Sequence, residues 1–115
     1  MDLRRVYEGR KKYFDNLEEY LEKIKTIVDE ECSDAKVYLF GSVVEGNYSI
    51  GLSDIDVAVV SDEFEDREKR LEVFGKLTKA FFDSPFEFHV LTVERWKVFR
   101  RFIGKYRLIS CSLSD

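Results

Sequence analysis

From Tyr7 to Glu31 the apolar residues Tyr13, Leu17, Leu21, Ile24 and Val28 recur every three or four positions, with charged residues between them. That spacing sets them on one side of a helix, so an amphipathic helix is predicted over 7–31, closed by Ser33-Asp34. The next apolar run has a different texture. Lys36 to Phe40 reads Lys-Val-Tyr-Leu-Phe, short, β-branched and aromatic, and predicts a buried strand that stops at Gly41-Ser42. Asn47 to Ser53, framed by Gly46 and Gly51, predicts a turn-rich loop. Asp54 to Val60 predicts a second strand, and its tail, apolar on both faces, places it inside a sheet. Asp62 to Asp66 reads as a polar connection with an acidic helix start. Leu71, Phe74, Thr78 and Phe81 predict a helix over 67–82, and Asp83-Ser84-Pro85 ends it because proline cannot continue a helix. Phe86 to Thr92 predicts a third strand. A last helix from Val93 to Tyr106 would present Trp96, Phe99, Ile103 and Tyr106 on one side.

This order of elements implies an α/β (α+β) fold, a small mixed β-sheet flanked by helices whose apolar stripes form the core. With 115 residues and no linker or repeat, the chain is expected to be one domain over 1–115. Hydrophobic residues make up 44% of it, enough for a core, and the single Pro and six Gly leave no low-complexity tail. A domain of this size buries a modest share of its surface, so a partner protein or a homo-oligomer is expected.

Charge narrows the function classes. The net charge of −4 argues against nucleic-acid or membrane binding driven by charge alone. Residues Arg95 to Arg107 nevertheless carry six basic side chains and no acid, which suits either a solvated helix face or a docking face for RNA, a nucleotide tail or an acidic protein. Cys32 and Cys111 match no metal spacing and suggest a reducing compartment. The opening Met-Asp-Leu-Arg-Arg lacks an apolar signal core, and no run has the length of a membrane span, so a cytoplasmic location is expected.

The chemistry gathers around the second strand. Asp54 and Asp56 alternate along it, so both carboxylates point to one face, about 7 Å apart, while Ile55, Val57 and Val59 pack on the other. Two like charges this close disfavour each other unless a cation lies between them, and magnesium prefers such hard oxygen ligands. Gly41-Ser42 directly follows a buried strand, and Ser42 is placed to cap a short helix whose N–H groups could hold phosphate. Taken singly, Asp-x-Asp and Gly-Ser are also ordinary turn chemistry. Their combination with a glycine-bearing loop and Ser53-Asp54-Ile55-Asp56 is what is specific.

The segments Leu39 to Gly46 and Ser53 to Val60 resemble the signature of the DNA polymerase beta-like nucleotidyltransferases, and within them the minimal nucleotidyltransferases. The resemblance implies a polymerase beta-like fold and a role for each matching residue. Gly41 and Ser42, with Ser53, would bind the triphosphate of a nucleoside triphosphate, ATP being the expected one. Asp54 and Asp56 would hold two Mg2+ ions, and Glu87, the only acid of the third strand, would supply a third carboxylate. His89 would lie on the same strand face as Glu87, as a polar neighbour or a direct participant. The implied activity is transfer of a nucleoside monophosphate to a hydroxyl acceptor, with a small helical HEPN-type protein as a possible partner and acceptor. An antitoxin-type binding subunit, and more distantly a nucleotide sensor, are the rival functions. Departures from the pattern are Val44 and Glu45 where many relatives carry Arg two residues after the serine, Glu rather than Asp at 87, and the eleven residues between Ser42 and Asp54, which predict a bulging loop.

Overall fold

In a computed structural model that describes residues 2–110, ten elements follow one another. Helices α1 (Leu3–Asp15) and α2 (Leu17–Glu31) precede strand β1 (Lys36–Phe40), a four-residue helix α3 (Ser42–Glu45) and strand β2 (Ile55–Val60). A 3₁₀ turn (Asp62–Glu65), helix α4 (Arg67–Ala80), strand β3 (Phe86–Leu91), helix α5 (Val93–Phe99) and strand β4 (Tyr106–Ile109) complete the chain. The sheet is mixed, in the order β3-β2-β1-β4. β1 runs antiparallel to β2 and β4, and β2 runs parallel to β3, with α4 making the crossover that parallel strands require.

The period-two alternation of the strands separates two apolar layers. Val37, Leu39, Ile55, Val57 and Val59 face α2 and α4 and meet Leu21, Ile24, Val28, Val73 and Leu77 there, almost all without solvent exposure. Phe40, Ala58 and Val60 point the opposite way and are covered by Trp96 of α5, with half-buried Tyr38, Leu91, Phe99 and Ile103 around them. Burial of such side chains is worth about 1.5–3 kcal/mol each, so these layers hold β1 and β2 as the two inner strands. No helix among the described residues is long and apolar enough to cross a membrane.

The structure differs from the sequence reading in several places, and the second strand, expected from Asp54, begins at Ile55 and leaves Asp54 just before it. The first helix is two helices, because Asn16 leaves the helical region and its side-chain amide donates to the Lys12 carbonyl, as asparagine does when it competes with the helix ladder. On α4 the buried positions are Val73 and Leu77, while Leu71 and Phe74 are 52% and 42% exposed. Both sets have helical spacing, and packing against the sheet selected Val73 and Leu77, joined by Phe81 alone of the expected set. The last helix ends at Phe99, not Tyr106. Tyr106 instead begins β4, which pairs with β1 from Phe40↔Tyr106 to Val37↔Ile109. The basic stretch from Arg95 to Arg107 is therefore divided among α5, a turn and an edge strand, and Arg107 is ion-paired with Glu18. Cys111 lies outside the described residues.

Candidate active site

Asp56 is the second residue of β2, opposite Phe40 of β1 on one side and Glu87 of β3 on the other. His89 is two residues beyond Glu87, so the pleat returns it to the same face. Its Nε2 lies 3.3 Å from Asp56 Oδ1 and 4.0 Å from Glu87 Oε1. One ligand atom from each of Asp56, Glu87 and His89 falls within 4.8 Å of the other two. The His89 ring packs against both Phe40 and Phe99, at ring-centroid separations of 5.2 Å and 5.8 Å, and these two rings also touch each other at 5.4 Å.

Asp54 stands just before β2, exposed, at the rim of this group. It is close enough to Glu87 to bear on its ionisation. Burial first of all pushes the Glu87 carboxyl above its ordinary value, the neighbouring His89 pulls it down, and the Asp56 and Asp54 carboxylates push it up again. Three carboxylates crowded at one strand end leave negative charge that no side chain among them neutralises, apart from a protonated His89.

Gly41 joins β1 to α3 with φ +87° and ψ −162°, a conformation essentially reserved for glycine. A Cβ there would overlap the Asp56 carboxylate. The glycine thus does two things: it turns the chain and it clears space beside the acid. Gly41, rather than Ser42, is the helix-capping position, with no side-chain cap bond, and Ser42 is the first helical residue. The Val44 and Glu45 N–H groups both donate to the Gly41 carbonyl at 3.1 Å, so the N–H groups left over at this helix start are those of Ser42 and Val43. Ser53 Oγ accepts the Ser49 N–H at 2.8 Å, which leaves its hydroxyl proton for another acceptor. The length between Ser42 and Asp54 is taken up by a turn in which Ser53 N–H also donates to the Ser49 carbonyl at 2.8 Å. Glu45, one of the departures from the resembled pattern, lies with its carboxylate against Gly104 in the turn before β4.

Sequence reading did not foresee Arg10. From α1 its Nε donates to the Ile50 carbonyl at 2.7 Å and its Nη2 to the Ser53 carbonyl, forty residues and more along the chain. No local pattern could have signalled contacts of that span. A cavity of about 600 Å³ lined by Tyr13, Tyr20, Ile27 and Phe81 lies over α2 and the end of α4, on the helical side of the sheet, and includes none of the acids of this cluster.

Residues 21–110 match the sequence pattern of the nucleotidyltransferase domain family. The solved structure of a candidate nucleotidyltransferase is 63% identical, with a TM-score of 0.73 over 79% of this chain and 98% of that one. A candidate nucleotidyltransferase from Sulfolobus solfataricus is 22% identical, with a TM-score of 0.54 over 88% of this chain and 89% of that one, a likeness of fold alone. A search of curated protein sequences finds no match.

Proposed function

The chain belongs to the nucleotidyltransferase domain family, and on that premise we propose that it moves a nucleoside monophosphate from a nucleoside triphosphate, ATP foremost, to a hydroxyl acceptor. The acceptor oxygen bonds to the α-phosphorus, the bond from that phosphorus to the bridging oxygen breaks, and pyrophosphate leaves with the electron pair.

One observation carries this reading: Asp56, Glu87 and His89 converge beside Gly41, with Asp54 at their rim. The donor set fits magnesium. Its oxygens are hard carboxylate ligands gathered from two neighbouring strands, and glycine keeps the approach to Asp56 free of a side chain. Asp54, Asp56 and Glu87 would hold the ions. Magnesium, when bound, offsets phosphate charge and lowers the proton affinity of an attacking hydroxyl.

The protein's own groups then position and accept. The Gly41-Ser42 backbone and the Ser42 hydroxyl hold phosphate oxygens, joined by the free hydroxyl proton of Ser53. His89 Nε2 hydrogen-bonds to Asp56 Oδ1 and fixes that carboxylate's rotamer. Glu87, the third carboxylate, would complete the ion nearest the acceptor and help the acceptor lose its proton.

The test is incubation with labelled ATP, GTP, CTP and UTP and magnesium, with a set of hydroxyl-bearing acceptors. Release of pyrophosphate together with label on an acceptor is expected from wild type and not from the double variant Asp54→Asn, Asp56→Asn. Bound nucleotide with no pyrophosphate from any of the four sinks the transferase reading and leaves a binding protein.

A further inference from the structure

The two aspartates of the site are held in different ways. Asp56 sits inside the ladder, with β1 on one side and β3 on the other. Asp54 precedes the ladder and is exposed. Two hydrogen bonds bracket it. After it, Ile55 N–H donates to the Pro85 carbonyl at 2.8 Å, the last tie to the β3 side. Before it, the Ser53 carbonyl accepts from Arg10 Nη2. That carbonyl belongs to the peptide unit that ends at the Asp54 nitrogen, so orienting it orients the backbone leading into the acid.

Arg10 is suited to this. Its Nε also donates to the Ile50 carbonyl at 2.7 Å, so one planar guanidinium spans both ends of the turn before Asp54. Four residues along α1, Phe14 stacks on Tyr48 of the same loop, ring centroids 5.2 Å apart and planes within 3°. Helix α1 has no buried residue of its own and precedes the residues 21–110 that match the family pattern. It therefore brings to the family domain two grips on the loop that delivers Asp54.

We infer that Arg10 is a positioning residue that acts through Asp54, and that α1 serves this site as a brace for its loop. The inference rests on the reading of the site as a divalent-cation centre. Arg10 touches neither cation nor substrate in this role. Its loss would let the Ser53–Asp54 peptide rotate and the Asp54 carboxylate drift from Glu87.

The experiment is titration of the protein with Mn2+, without nucleotide, followed by electron paramagnetic resonance of the free ion. Wild type, Arg10→Ala, Arg10→Lys, Asp54→Asn and the double variant Arg10→Ala, Asp54→Asn are compared, each with a thermal melt and amide hydrogen exchange across 49–55. Arg10→Ala is expected to weaken Mn2+ binding on the order of 10-fold, as loss of an outer support does at metal sites. Its melting temperature should stay near wild type, with faster exchange confined to the loop. Arg10→Lys, which keeps the charge but not the fork, should recover part of the affinity. In the Asp54→Asn background, removing Arg10 should cost nothing further, since coupled residues do not add. Unchanged Mn2+ affinity in a folded Arg10→Ala protein overturns the inference, as does an additive loss in the double variant. Should Arg10→Ala fail to fold, Arg10→Lys carries the same two criteria. A wild type that binds no Mn2+ overturns the metal reading itself, and this inference with it.

Discussion

Strand β2 has a polar cluster at each extremity, and the two clusters put their acidic side chains to opposite effect. At its start, Asp54, Asp56 and Glu87 gather with His89. Past its end, Ser61 meets Cys32, Asp34 and Glu63. The second cluster supplies its own protons. Ser61 O–H donates to Asp34 at 2.8 Å and its oxygen accepts the Glu63 N–H at 3.0 Å, capping the 3₁₀ turn. The Cys32 thiol, 2% exposed, lies 3.0 Å from Glu63 and 3.1 Å from Asp34 and has one proton to share. Burial first, and then the Glu63 carboxylate, push that thiol up to about 12, so it stays a thiol. Bonds from Cys32 and Ser61 in turn hold the Asp34 carboxyl below its ordinary value.

At the start of the strand, donors do not match acceptors. Two carboxylates, Asp56 and Glu87, face one imidazole, a third, Asp54, lies beside Glu87, and glycine rather than a side chain flanks Asp56. The difference teaches that acids near one another do not make a site. A site has charge left over and room beside it, whereas a cap spends its acids on its own donors.

The contrast can be broken most severely at Asp56. Asp56→Asn keeps the shape and removes a charge, and transfer should fall on the order of 10³-fold in a pyrophosphate-release assay, with the fold retained by circular dichroism. A drop of only a few-fold would mean that the start of the strand is no more functional than its end. A middle effect is expected at Gly41. Gly41→Ala forces φ +87° on a residue with a Cβ and pushes that Cβ into Asp56, so stability should fall by about 1–3 kcal/mol in urea unfolding, and transfer with it. The smallest effect concerns the other end. Cys32→Ala should leave transfer unchanged, and beside a general loss of stability from the emptied core position it should flatten the alkaline limb. The thiol's folded value lies above its ordinary 9.0, so the folded state holds a proton that the unfolded state has lost. By linkage this contribution is full below 9 and declines as pH rises from 9 toward 12. Melting temperature should therefore fall less steeply over that window in Cys32→Ala than in wild type. Equal slopes would remove the claim that this cluster holds its proton.

Much of the site was legible because it is local. Lys36 to Phe40, the Gly41 turn and the alternation from Asp54 to Val60 follow from the strand period and from what glycine permits, and β1 and β2 lie where these patterns put them. Ser42 was read as a cap, yet Gly41 occupies that position, since a glycine with positive φ can end a strand and start a helix with no side-chain bond.

The sequence by itself determined that Ile55 to Val60 would lie inside the sheet, that Asp56 would open onto the face opposite Ile55, Val57 and Val59, and that Glu87 and His89 would share one face of another strand. These follow from a repeat of two and from apolar residues that must leave water. Only the tertiary structure decided that β3 would lie parallel to β2 in the register that sets Glu87 opposite Asp56 and turns His89 toward it. It alone chose Val73 and Leu77 as the buried face of α4, drew Tyr106 out of a helical pattern into the edge strand Tyr106–Ile109, and laid Arg10 across the loop before Asp54. Each of these depends on contacts between residues far apart in the chain. Their entropy cost is met only by the assembled core, and no stretch of local sequence records that.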